Sequence, residues 1–544
     1  MGSETHTVTS VYDTAGARTQ RLTSRGHGEH VERDATGART RTILDALDDV
    51  HHARDAVGRE NMVALPRGGR IHKTYDPLGR VERRWATSAG SLRPVRFDEP
   101  GWVGGAAPAQ PDRVTAEREY KYTVEGELSD TFDRERGWVQ YENDAAGRLT
   151  SVLREATGEE ERFRYDAAGN HEREAEPREY GAGGQLLRRG GVTYAWDAAG
   201  RLREKRDGAK VWRYAWDAAG RLATVHMPNG RREEYTYDPF GRRLEARLIA
   251  GANVERTRFV WDGDTIAHAI LERAEFNGDP VVEERTFCFE DGGFVPWAQR
   301  DDVPDGYGGR RRAWSYFVGD PIGTPDELVD GAGRVLAELD REAWGRTTAG
   351  GEATTLRFQG QYEDGETGLF YNRFRYYDPD AGLYISPDPL GLEGGLRPFG
   401  YGINPTRWID PLGLALFIVD PSGQCAVLGT KKELENMGVT DGHHIVQDAA
   451  VRNLPGYTNR GGPCIGLPGP PYAADTPHGR ATKAQRQAKG GGTLGQELAI
   501  GESALLTAGA GPGIARTAVD YAQADFAAKG LGPSTPTRVP GDRR

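Results

Sequence analysis

Cysteine is scarce in this 544-residue chain: Cys288, Cys425 and Cys464 are odd in number and far apart. That excludes a disulfide framework and a cysteine zinc set, and it suits thiols kept in a reducing compartment. Long apolar runs are missing too. No window approaches 18 consecutive apolar residues, so no membrane span is expected. The opening MGSETHTVTS has no basic region leading into an apolar one, so a classical signal peptide is not expected either, and any export falls to another machine. Hydrophobic residues reach only 37% against 28% charged, which argues against a thick aliphatic core. Yet 22 Tyr and 11 Trp are too many aromatics for a disordered chain.

What is abundant is glycine, 74 residues, which implies many turns and therefore many short strands. The length calls for two or more structural units, one of them large. Charge is unevenly shared. Residues 415–544 hold 13 Lys and Arg against 11 Asp and Glu, whereas the preceding part holds 57 against 70. A slightly basic tail on an acidic body suits an anionic target, although so small an excess is by itself a weak signal.

One segment recurs along the chain: Tyr, one or two residues, Asp, two small or apolar residues, Gly, then Arg and an alternating run. Copies begin at Tyr12, Tyr75, Tyr141, Tyr165, Tyr194, Tyr214 and Tyr235, the best preserved lying 20 to 22 residues apart. Each reads as a β-hairpin in which Asp opens the turn through its side chain, Gly supplies a positive φ and the Arg-Leu run returns as the second strand. A lone hairpin is unstable in water, so the units are expected to stack edge to edge, with Tyr and Trp forming a ladder on one face.

These copies resemble the YD repeats of the RHS and teneurin families, from roughly residue 9 to 380. The resemblance implies a sheet that coils into a closed, hollow shell; an open solenoid or propeller is the plainer alternative for a repeat of this period. The chain begins almost directly in repeats, which suits a fragment or a component that joins a separate delivery partner. From Tyr316 the period gives way to a denser stretch ending in FGYGINPTRWIDPLGLA, which resembles the RHS-associated core. It contains Asp388-Pro389-Leu390-Gly391 and, after 18 residues, Asp410-Pro411-Leu412-Gly413. In the family this pair is the self-processing motif, which implies Asp388 and Asp410 as catalytic carboxylates and a cut between Leu414 and Ala415. The chemistry asks for one carboxylate as base toward water and one kept protonated to polarise the scissile carbonyl, and close like charges separate two such pKa values. The plainer reading of either unit alone is a β-turn built on Pro and Gly.

After Leu414 no repeat recurs and Ala-rich helical patterns take over. Asp441-Gly442-His443-His444-Ile445-Val446-Gln447-Asp448 is followed by a Gly/Pro-rich loop and then by His478 at the start of a helical pattern. Adjacent histidines on an extended segment point to opposite sides, so one is able to bind a metal while the other takes a proton, a division that suits hydrolysis of a phosphodiester. The segment resembles GHH-type HNH/endonuclease VII toxins. That resemblance implies His443 and His478 as metal ligands and His444 as the general base, with Asp441 as an extra ligand and Asn453 or Asn459 in the place of the HNH asparagine. A plain solvated turn is the alternative for a surface histidine pair. Arg480, Lys483, Arg486 and Lys489, spaced by three, form a candidate phosphate-binding stripe or a solvated helix face. The segment around Gly509 to Gly513 reads as a break between two further helices.

The reading is therefore a mostly β protein: YD repeats over 1–315 spiralling into a hollow shell, an RHS-associated core with the self-cleavage motif over 316–414, and a small α-rich, ββα-metal-like domain over 415–544. The resemblance implies a toxin used between bacteria, made in the cytoplasm, exported by a dedicated secretion system and active in the target cell's cytoplasm. It implies a divalent ion, Mg²⁺ or Zn²⁺, a nucleic-acid substrate with DNA favoured, a cognate immunity protein and a delivery component supplying the missing N-terminal part. The competing readings are an RHS toxin whose C-terminal domain is a different enzyme, and a teneurin-like adhesion or recognition protein.

Overall fold

In the computed structural model the described residues are 5–88, 113–124, 126–174, 176–273, 280–291, 293–391, 397–402, 404–414, 417–419, 425–436, 442–467, 477–488, 492–508, 510, 515, 518, 519, 521–523, 525, 526 and 529–538. Among these, two large antiparallel sheets account for most of the chain. The first has 14 strands from Val8 to Arg173, the second 15 strands from Arg178 to Glu338, and in both the spatial order of strands follows the sequence. Each hairpin finds its partner next door, as expected of stacked repeats.

The unit at Asp217 shows why the repeat has its composition. Asp217 Oδ1 accepts the backbone N–H groups of Ala219 and Arg221, both at 2.9 Å, and Oδ2 accepts Arg221 Nε at 2.8 Å. Gly220 completes the turn at φ +80°, a value that a side chain disfavours. The Arg221 guanidinium lies 4.9 Å from the ring centroid of Tyr237 in the next unit and donates to the Asp238 carbonyl at 3.2 Å. Tyr237 in turn donates its hydroxyl to the Leu222 carbonyl at 2.6 Å. The same Asp to Arg closure recurs at Asp55, Asp76, Asp144, Asp197, Asp238 and Asp330. Tyr194, Tyr214 and Tyr235 are buried on one face with Trp196, Trp216 and Tyr237 packed against them, which is the aromatic ladder that the alternation predicts.

The two sheets meet along a seam of ions whose members advance together along both. Arg18 pairs with Asp262, Arg25 with Glu284, Arg33 and Arg39 with Asp291, Arg118 with Asp326 and Glu327, Arg136 with Glu338 and Arg173 with Glu342. Contacts that progress in step are those of successive turns of a spiral. Between these turns Leu44, Val50, Leu65, Ile71 and Ala86 of the first sheet pack on Cys288, Ala298, Tyr316, Val318 and Val329 of the second. Side chains therefore fill the space between these two turns. Cys288 and Cys464 are buried and in no disulfide.

Residues 362–384 form four short strands that lie on the second sheet. The strands Leu369–Asn372 and Arg375–Asp378 are buried at every position, because both faces of the hairpin are covered. On one side sits Arg243, fully buried, held by Asp364 at 2.5 and 2.8 Å and surrounded by the rings of Tyr235, Phe259, Tyr362, Tyr371 and Tyr376. The boundary drawn between repeats and core at 315/316 falls inside strand Arg310–Gly319, since the second sheet runs on to Glu338. The C-terminal part has its own apolar core, built from Leu428, Ile445, Leu498, Leu505, Phe526 and their neighbours.

Replacing Asp217 with Ala removes the acceptor of three hydrogen bonds and is expected to cost about 1–3 kcal/mol. Asp217→Asn keeps an oxygen at the Oδ1 position and costs less. Thermal unfolding of the two variants beside the wild type checks the ranking.

Candidate functional sites

The two Asp-Pro-Leu-Gly units, 18 residues apart in sequence, come together on one guanidinium. Arg375 Nη2 lies 3.0 Å from Asp388 Oδ2 and 2.8 Å from Asp410 Oδ2. Its Nε donates to the Gly413 carbonyl at 2.6 Å and its Nη1 to the Pro398 carbonyl at 3.1 Å. The Tyr384 ring centroid is 3.6 Å from the same guanidinium, and its hydroxyl donates to Asp410 Oδ2 at 2.9 Å. Asn372 Nδ2 donates to the Tyr384 hydroxyl at 2.6 Å and to the Asp410 carbonyl at 2.7 Å. Both carboxylates also close turns of their own: Asp388 Oδ1 accepts Leu390 N–H at 2.8 Å and Asp410 Oδ1 accepts Leu414 N–H at 2.9 Å. The turn reading and the paired-carboxylate reading thus describe one arrangement. Leu414 is held directly on Asp410; Ala415 lies outside the described residues.

Burial is the main cause of the shifted acidities. It pushes the Asp388 carboxyl up to about 6, against the opposing charge of Arg375 and the Leu390 N–H, with repulsion from Asp410 the least of the four contributions. The like-charge repulsion invoked from sequence is therefore secondary here. Burial raises Asp410 as well, opposed by Arg375, Leu414 N–H and Tyr384. Arg375, Tyr384 and Asn372 were not singled out in the sequence. They sit in the dense YNRFRYYDPDAGLYIS stretch, where nothing in composition or period separates a site residue from a packed one.

In the C-terminal domain, strand Gly442–His444 pairs antiparallel with Pro463–Gly466, placing His443 opposite Ile465 and His444 opposite Cys464. Helix Pro477–Gln487 follows and packs on the hairpin. Gln485 Nε2 ties the two together by donating to the carbonyls of His444 and Ile445, each at 3.0 Å. The order is strand, strand, helix.

His443 is 4% exposed and meets the ring of His478, in the first helical turn, edge to face with centroids 5.1 Å apart. His443 Nε2 is buried and has no hydrogen-bond partner among the described residues. Burial and the neighbouring His478 and His444 push the His443 imidazole down to about 3, so it is neutral at physiological pH. His444 points the other way, as the strand alternation requires, and one of its ring nitrogens lies 2.9 Å from the Asn459 carbonyl. A carbonyl only accepts, so that nitrogen carries the proton and the other ring nitrogen is the basic one. Burial lowers the His444 pKa too. Of the two asparagines weighed, Asn459 is the one at His444, and Asn453 is exposed. Lys431 and Asp448 are charged neighbours of His444, the first lowering and the second raising its pKa; Asp441 lies outside the described residues.

The basic stripe is narrower than its spacing suggests. Arg480 donates to the Ala508 carbonyl at 2.8 Å at the end of helix Leu494–Ala508, so one of its donors is committed within the domain. Lys483 and Arg486 are exposed, and Lys489 lies outside the described residues.

The family described as Teneurin YD-shell matches residues 114–261. Double-stranded DNA deaminase toxin A of Burkholderia cenocepacia is 35% identical over 325 residues, covering 55% of this chain and 22% of that protein. Probable deoxyribonuclease RhsA of Dickeya dadantii is 33% identical over 346 residues, covering 60% and 23% respectively. The chain thus spans less than a quarter of the length of these two relatives. Among solved structures, the crystal structure of TcdB2-TccC3-Cdc42 aligns with 76% of this chain and 22% of its own at a TM-score of 0.60 and 18% identity, which shows a shared fold.

The close packing of hairpin and helices gives a test of the site's frame. A Cβ on Gly501 would stand 2.2 Å from the Ile445 carbonyl oxygen, so Gly501→Ala must displace the strand that carries both histidines. The variant is expected to lose about 1–3 kcal/mol of stability in the C-terminal domain, read as a lowered unfolding midpoint.

Proposed function

On the premise that this chain is a YD-repeat shell protein related to Rhs toxins, we propose that it cuts itself between Leu414 and Ala415. We propose further that the C-terminal product is a metal-dependent nuclease that acts on a competitor's nucleic acid. The observation that carries the first step is the single Arg375 guanidinium shared by Asp388 and Asp410 beside Leu414. Burial raises Asp410 too, opposed by the donors from Arg375, Tyr384 and Leu414, and we assign it the role of base that takes a proton from water. Asp388, raised to about 6, supplies the acid. Water adds to the Leu414 carbonyl carbon, the C–N bond breaks and the amine of Ala415 leaves with a proton.

The strand-strand-helix arrangement of His443, His444 and His478 supports the second step. The unpartnered, neutral Nε2 of buried His443 beside the His478 ring is a donor set that fits a divalent ion. Mg²⁺ or Zn²⁺ held there would supply positive charge against the charge that builds on a phosphate during hydrolysis. His444, oriented by the Asn459 carbonyl, accepts the proton of the attacking water. Lys483 and Arg486 offer phosphate contacts on the exposed helix face. As a container and its cargo, the protein needs a delivery component and, in the producing cell, a cognate immunity protein.

Wild type, Asp410→Asn and His444→Ala are compared on denaturing gels and against plasmid DNA and RNA, with Mg²⁺, Zn²⁺ or chelator. The expected result is a fragment of residues 415–544 in all but the Asp410 variant, and metal-dependent cutting lost by roughly 100-fold or more in the His444 variant. Intact nucleic acid under every metal condition would send the C-terminal domain to another toxin chemistry.

Self-cleavage also carries a pH signature. The proton on Asp388 is present below about pH 6 and is lost as pH rises through that value. The rate of fragment appearance is therefore expected to fall above about pH 6, approaching tenfold per unit. A stopped-time assay on freshly refolded chain reads this, and a flat profile from about pH 5 to about pH 8 would contradict the role given to Asp388.

A further inference from the structure

The five-stranded sheet of the C-terminal part runs in the order Trp408–Ile409, Phe417–Val419, Cys425–Thr430, Pro463–Gly466, Gly442–His444. Its first strand lies upstream of the Leu414–Ala415 bond. Trp408 pairs with Ile418 and Ile409 with Phe417, and Phe417–Val419 continues the ladder onto Cys425–Val427. The strand's two residues face opposite ways. Trp408, 5% exposed, belongs to the apolar core of the C-terminal domain with Leu428, Ile445 and Leu498. Ile409 packs on Ile322 of the shell.

The same short segment is fastened to the shell at both ends. Trp408 N–H donates to the Asn404 carbonyl at 2.9 Å, and Asn404 Nδ2 donates to Asn143 Oδ1 at 2.9 Å and to the Gly147 carbonyl at 3.2 Å in the first sheet. At the other end Arg375 holds Asp410 and Gly413.

We propose that Trp408–Ile409 is a docking strand through which the shell holds its own C-terminal domain after the peptide is cut, with Trp408 as the plug. Cleavage after Leu414 removes the covalent link and leaves both the strand pairing and the shared core intact. The domain leaves only when Trp408 is withdrawn from its core and the backbone of Phe417–Val419 gives up an edge partner. A cut chain is then a bound complex, and a force or partner that unseats the domain, rather than the cut itself, sets the moment of release. The proposal rests on the self-cleavage reading for its biological sense, but the docking itself is readable in an uncut chain.

Two measurements separate the two. In the full wild-type chain and in Trp408→Ala, denaturing gels report the cut, and native size-exclusion chromatography reports whether the fragment travels with the shell. Wild type is expected to co-elute, and Trp408→Ala to be cut equally but to shed roughly tenfold or more of its fragment in free form. Trp408→Phe, which keeps a ring in the pocket, should fall between them. In the Asp388→Asn background, hydrogen exchange of Cys425–Thr430 and Pro463–Gly466 is compared with and without Trp408→Ala. Faster exchange in those strands is expected even if no cut ever occurs. Co-elution unchanged by Trp408→Ala, or exchange unchanged in the uncut chain, overturns the docking role; absence of a cut in wild type overturns only the self-cleavage reading.

Discussion

The best-formed repeats in this protein depend on a carboxylate that does two jobs. The turn Asp ties down the backbone of its own hairpin and at the same time aims an Arg at the next one, where the guanidinium lies over an aromatic ring. Asp217, Arg221 and Tyr237 show the arrangement most completely. Because the Asp is satisfied locally and the Arg is satisfied one unit further on, folding of a hairpin prepares the surface for its successor. Stability is passed along the sheet in this way with little aliphatic burial, which explains how a chain only 37% hydrophobic sustains sheets of 14 and 15 strands. The ionic seam between successive turns again relies on Arg, paired there with Asp or Glu across long sequence separations.

That regularity positions an irregular site. The hairpin that carries Arg375 is pinned on one face by Arg243 and its surrounding rings, so its opposite face is presented with little freedom. Arg375 then brings together two carboxylates, two carbonyls and the residue that precedes the expected cut. Preorganisation of this kind is what a reaction performed once, on the protein's own backbone, requires. The backbone proposed to be cut is itself part of the frame.

Much of this was legible in the sequence, and the reasons are local. The Tyr to Asp to Gly to Arg spacing specifies a hairpin with its turn, and repetition specifies stacking, so the large sheets follow. Asp388 and Asp410 stood out because a four-residue motif recurs. His443 and His444 stood out because strand alternation gives neighbours opposite faces, and the structure shows one buried against His478 and one turned toward Asn459. Arg375, Tyr384 and Asn372 were not legible, since they act through contacts made only after distant segments meet. The bond from Arg480 to the end of helix Leu494–Ala508 was hidden for the same reason, since spacing along one helix says nothing of where another ends. The strand Trp408–Ile409 is too short to register as an element, and its partner lies across the bond expected to break.

The account's central claim is that this structure severs its own chain at one peptide bond. Intact-mass spectrometry of the purified wild-type protein, taken after denaturation, tests it most directly. The account predicts two masses that together exceed the chain by one water, with the smaller product starting at Ala415. A single mass equal to the whole chain, or a smaller product with a different first residue, would contradict it.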